Sequence, residues 1–257
     1  MYPTILITAA IQGFLLSTGL LLRNIKTQQA NIYLSCILFI FSVELLFSWG
    51  GLTGYNNSKG VFRFWLFKTY LMIAPSLWLF FKHNTTAQYK FSLQHFLYFL
   101  PALVEIVIGF VSYYSRGTVF TFTRSSFWFV YTEILPLLLT AMVLVWQGIA
   151  IAKLHRQFKG NTNDAVQSHI LKIKIVYVVF CFLVIVWASM TFFSFHVMRF
   201  VEVFLAILLF VLAYIAFFYP DFFATPRSFQ VKATDEFKAF NDEESFSRLT
   251  QLFVQQA

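Results

Sequence analysis

Residues 173–194 read IKIVYVVFCFLVIVWASMTFFS, and the one charge in that run, Lys174, lies in its first turn. As an α-helix rising about 1.5 Å per residue, the run is longer than the roughly 30 Å of hydrocarbon in a bilayer. A membrane barrel strand needs only about 9–11 residues and alternates polar with apolar side chains. This run does neither, so it reads as a helix that crosses a membrane.

Working outward, six further runs have the same character, at roughly 3–22, 30–50, 64–82, 93–114, 128–152 and 199–219. Short polar connections separate them, without internal repeat or soluble insert. The whole chain is 59% hydrophobic and 12% charged, with 35 Phe. Soluble domains carry about 25% charged residues, so water alone is excluded as the solvent. The expected architecture is an all-α integral membrane protein, a seven-transmembrane helix bundle spanning residues 1–220. No Lys or Arg precedes the first run, which therefore reads as a span and not as a cleaved signal.

Lys and Arg set the orientation. The first, third and fifth connections hold Arg23, Lys26, Lys82, Lys90, Lys153, Arg156, Lys159, Lys172 and Lys174. The second, fourth and sixth hold Lys59, Arg63, Arg116, Arg124 and Arg199. The bias places the N-terminus outside and the C-terminus in the cytoplasm, in a plasma (inner) membrane. Trp49, Trp65, Tyr113, Tyr114, Trp128 and Tyr219 fall near span ends, where amphipathic rings sit. Pro75, Pro101 and Pro136 fall inside spans, where each removes a backbone donor and is expected to kink its helix, as a hinge or as a static bend.

Beyond Pro220 the composition turns polar. Residues 221–257 read as a cytoplasmic linker. Within it, Asn241 and Glu244 suit a capping box, and Phe246, Leu249, Leu252 and Phe253 recur at helical spacing. An amphipathic helix over about 242–256 follows, too short to be stable alone in water. It calls for a membrane surface, a cytoplasmic partner or more chain.

Catalytic patterns are missing. The four Asp lie outside the spans, no His-Glu-x-x-His occurs, the five His are scattered and no Gly-rich phosphate loop is present. Cys36 and Cys181 lie in separate apolar runs without metal spacing. The sequence therefore points to no enzyme, no metal and no cofactor.

Ionisable groups inside a membrane are costly and mark function by default. Glu44, Glu105, Glu133 and Glu202 lie in spans, with Lys68 in the third. In the assigned orientation Glu44, Lys68, Glu133 and Glu202 fall in the outer half, with Glu105 near the middle. Two readings stand side by side: an outward-facing polar cavity for an unknown small ligand, or ion pairs that join helices. As function, a sensor competes with a small-molecule or ion transporter or channel.

The order of several segments adds a resemblance. Ile11-Gln12-Gly13-Phe14 with Arg23-Asn24 and Ala30-Asn31, the run Ala74 to Lys82, and His95 to Pro101 come first. Tyr214 with Phe218 to Phe223, and Asp242 to Gln256, complete the series. Together they resemble the seven-transmembrane N-terminal sensor region of membrane-bound AraC-type helix-turn-helix transcriptional regulators. The likeness runs over the whole chain, although Tyr98 stands where many members carry a His. It implies signal transduction through Pro220 and the tail helix to a DNA-binding domain beyond residue 257, working as a homodimer. Residues 1–257 contain no recognition helix, so the resemblance implies no direct nucleic-acid binding by them.

Overall fold

The structure is a computed structural model that describes residues 2–24, 30–58, 62, 64–85, 93–116, 127–158, 164–193 and 198–218. Pro220, Phe246, Leu249, Leu252 and Phe253, with the rest of the tail, lie outside the described residues. Among the described residues every regular element is helical and there is no strand. Seven helical segments follow in order: α1 (Tyr2–Asn24), α2 (Ala30–Thr53), α3 (Ile73–Thr85), α4 (Leu100–Arg116), α5 (Phe127–Gln157), α6 (Asp164–Phe193) and α7 (Met198–Phe218).

Among the described residues five stretches are long and apolar enough to cross a membrane: Tyr2–Leu22, Ala30–Thr53, Gln94–Val111, Phe127–Gln157 and Val166–Phe192. Phe200–Leu212 is apolar but shorter. The expected third span, 64–82, is not one continuous α-helix. Two short 3₁₀ turns, Phe64–Phe67 and Tyr70–Met72, precede α3, and Thr69 between them is extended.

The second helix is the centre of the bundle. Tyr33, Leu34, Ile37, Leu38, Val43 and Leu45 are buried on several of its faces. It packs on α1 and α3, α7 lies on α1, α5 packs against α3, and α6 against α5. The α1–α2 seam is tight because its residues are small. A Cβ on Gly13 would fall 2.1 Å from Ser42 Oγ and 2.8 Å from a Leu209 methyl carbon. Small residues that let backbones approach are the usual means of helix association in lipid. Ser17 and Ser35 add a reciprocal pair: each hydroxyl donates to the other residue's carbonyl, at 2.9 and 2.8 Å.

Outward faces are apolar. Leu138, Met142, Val145 and Ile149 on α5, and Leu171, Ile175, Val178 and Ile185 on α6, are exposed at helical spacing. Leu100, Leu103, Val107 and Val111 on α4 do the same. A water-soluble surface does not carry continuous apolar stripes of this extent, whereas lipid accepts them.

All three span prolines lie in the first turn of an α-helical segment, directly after an irregular one. Pro75 follows the second 3₁₀ turn, Pro101 follows the 3₁₀ segment Leu93–Phe99, and Pro136 follows a π-turn, Val130–Ile134. Proline has no N–H and cannot continue a regular hydrogen-bond ladder, and at each of these places one helix type gives way to another. The bends expected from the sequence are thus changes of helix type.

Candidate functional site

The groups singled out in the sequence come from four separate elements. Glu44 is carried by α2, Lys68 by the extended break before α3, Glu133 by the π-turn of α5, and Glu202 by the start of α7. All four line one cavity of about 300 Å³, at the lower end of the size range of small-molecule sites. Glu105, on α4, is not in its wall. It takes a hydrogen bond from the Thr69 hydroxyl and lies within electrostatic reach of Lys68 and Glu133.

The two backbone irregularities explain the convergence. A regular helix through residues 64–82 would keep Thr69 and Lys68 in its hydrogen-bond ladder. The extended Thr69 instead leaves Lys68 free to reach α2, where its Nζ lies 2.9 Å from Glu44 Oε2. The π-turn arises because Pro136 has no N–H and its ring would strike the carbonyl four residues back. Leu135 donates to the Val130 carbonyl, one residue further back than in an α-helix, and Glu133 lies within that widened turn. Such turns recur at functional sites.

Each carboxylate has a donor. The Tyr70 hydroxyl donates to Glu44 at 2.6 Å, the Trp187 indole N–H to Glu133 at 3.4 Å, and the Tyr2 hydroxyl to Glu202. The Lys68 ammonium also stands 4.5 Å from the centre of the Phe47 ring and 4.9 Å from that of Tyr70, within cation–π range. Tyr70 in turn packs on Trp187 with ring centres 5.0 Å apart. The rest of the wall is largely apolar, with Phe41, Phe129, Phe180, Leu183, Val184 and Leu205.

No family model, curated protein or solved structure matches this chain.

Sequence reasoning missed Tyr2, Thr69, Tyr70 and Trp187. One signal was available: Trp187 lies inside the apolar run 173–194, away from the ends where Trp usually sits, and its N–H needs a buried acceptor. Tyr2 and Thr69 carry no sequence signal of this kind. Among the described residues no three His, Cys, Asp or Glu are grouped to hold a metal ion.

Proposed function

We propose that this chain is a seven-span sensory module of the plasma (inner) membrane, with its N-terminus outside and its C-terminus in the cytoplasm. A small ligand enters the cavity from the outer half of the bundle. Its binding shifts the helices, and residues 221–257 carry the shift to a cytoplasmic output. By the resemblance to AraC-type regulators, that output is transcription through a helix-turn-helix domain beyond residue 257 or on a partner, acting as a homodimer. The role involves no bond-making step in this chain.

The observation that carries this reading is the convergence of Glu44, Lys68, Glu133 and Glu202 on one cavity, from four elements far apart in sequence. The Lys68–Glu44 pair is a contact that an occupant can exchange for its own, and a ligand acts only through such differences between two states. A transporter is the second reading, favoured by the break at Lys68–Thr69, because unwound spans line many transport sites.

The test compares transcripts in cells carrying the native gene with cells carrying Glu133→Gln at the same locus, alongside a flux assay on the purified chain in liposomes. A sensor changes a discrete set of transcripts and moves no solute. Unchanged transcripts together with cation flux would replace the sensor by the transporter.

A further inference from the structure

The cavity wall holds more acids than cations. Glu44, Glu133 and Glu202 line it, and Lys68 is the one cation among its described lining residues. Lys68 is already engaged with Glu44 at 2.9 Å. Glu133 and Glu202 take their hydrogen bonds from neutral donors, the Trp187 indole and the Tyr2 phenol, and Lys68 reaches Glu133 only through space. Glu202 is only 6% exposed. A buried carboxylate without a cation is costly and gains most from one.

The protein also shows how this environment treats an ammonium. Lys68 sits with a carboxylate oxygen on one side and the faces of Phe47 and Tyr70 on others. A ligand ammonium near Glu133 or Glu202 would find the same two kinds of partner, since Phe129 and Trp187 line the same space. An anion would face three carboxylates. A hydrated metal cation would find too few oxygens in a mainly apolar wall. A neutral apolar molecule would leave Glu202 without a counter-charge and Glu133 with only Lys68, which is already paired with Glu44.

We propose that the cavity binds a small organic ammonium ion with an aryl or alkyl body, its charge held by Glu133 and Glu202 and its body by Phe41, Phe180 and Leu205. This rests on the cavity being the ligand site of the sensory module proposed above.

The test uses the full chain in lipid nanodiscs and three probes of nearly equal size and different charge: phenethylamine, phenethyl alcohol and phenylacetate. Isothermal titration should rank the amine first, the alcohol about tenfold or more weaker, and the acid last. Glu133→Gln and Glu202→Gln should each weaken the amine about tenfold while the size-exclusion profile stays monodisperse. No heat with the amine up to millimolar concentration, or equal or tighter binding of the alcohol or the acid, overturns the proposal. The ranking in the native chain decides even if a variant fails to fold. Proteolysis of residues 221–257 with and without probe separates this inference from the sensory reading. Amine binding with an unchanged tail supports the ligand class and counts against sensing. A tail response to the alcohol with no amine preference does the reverse.

Discussion

The hydroxyl of Tyr2, at the start of α1, donates to the carboxylate of Glu202, at the start of α7, and so joins these two helices across 200 positions of sequence. Glu202 is buried, and the phenol is the hydrogen-bond donor it has among the described residues. Tyr2→Phe should therefore cost about 1–3 kcal/mol, the penalty of stranding a buried acceptor. Glu202→Gln should cost less, because its amide oxygen still accepts from Tyr2. Thermal unfolding of the two variants in the same detergent checks the order. Equal melting temperatures for Tyr2→Phe and the native chain would show that water, not Tyr2, satisfies Glu202.

Lys68 and Glu44 should behave as a coupled pair. Lys68→Met leaves Glu44 with Tyr70 but no counter-charge, and Glu44→Gln leaves a partly buried ammonium beside two aromatic rings. The two single losses are expected to sum to more than the loss of the double variant, with a coupling of about 1 kcal/mol or more. A double-mutant cycle on unfolding free energies measures it. Strict additivity would mean that the two groups do not interact in the folded chain.

How much of this was legible in the sequence depends on range. The apolar runs at 3–22, 30–50, 128–152 and 173–194 announce helices because lipid imposes one simple pattern, and α1, α2, α5 and α6 lie over them. Glu44, Lys68, Glu133 and Glu202 stood out because charge inside an apolar run is rare, and alternation of span direction alone placed them at one end. The break at Thr69 and the π-turn at Val130–Ile134 were not legible. The break depends on what the backbone meets across the bundle, and Pro136 fixes the place of the π-turn but not its form, since a plain proline kink answers the same constraint. The donors Tyr2, Thr69 and Tyr70 were hidden because a hydroxyl names no partner until the helices are packed.

The reciprocal Ser17–Ser35 bonds should make the α1–α2 seam sensitive to either residue but not doubly so to both. Ser17→Ala removes the bond that its hydroxyl donates and the contact between the two hydroxyls, while its carbonyl still accepts from Ser35; Ser35→Ala does the same from the other side, so the hydroxyl contact is lost in either. Each should cost about 0.6 kcal/mol, typical of such contacts in membrane proteins. The double variant should lose less than twice that. Unfolding of the three proteins side by side is the measurement, and a double loss equal to the sum would show that the two residues act independently of one another's bonds.

Acid should weaken the C-terminal end of α3. His83 lies in the last turn of α3, and burial, with His95 nearby, holds its imidazole below the ordinary histidine value. The ring of Tyr33 lies 5.9 Å away, and Lys82 is drawn aside over Trp78. In the unfolded chain His83 takes up a proton near pH 6.5, earlier than in the folded one. The unfolded state then binds more protons, so stability is full above about pH 6.5 and falls as the pH drops below it. Melting temperatures of the native chain and His83→Gln, followed from about pH 7.5 to 5, should converge on acidification from a higher native value or show a flatter slope in the variant. Parallel curves would remove His83 from the account.

The π-turn offers the sharpest separation between stability and site geometry. Its cause is Pro136, which cannot donate and whose ring would strike the carbonyl four residues back in a regular α-helix. Pro136→Ala restores the donor, so a regular helix through residues 127–157 becomes accessible without loss of stability. Closing the extra residue of the π-turn rotates everything before it by about 100°, the step of one helical residue. Glu133 lies within that turn and would leave the cavity wall, giving up the Trp187 indole N–H. Pro136→Ala should thus melt no lower than the native chain, yet change the Trp187 signal in the same direction as Glu133→Gln. That signal is isolated by subtracting the fluorescence of the matching Trp187→Phe protein, since the chain holds 6 Trp. A lower melting temperature with an unchanged Trp187 signal would show that tertiary packing, not Pro136, holds the turn open, and that Glu133 faces the cavity whichever residue stands at 136.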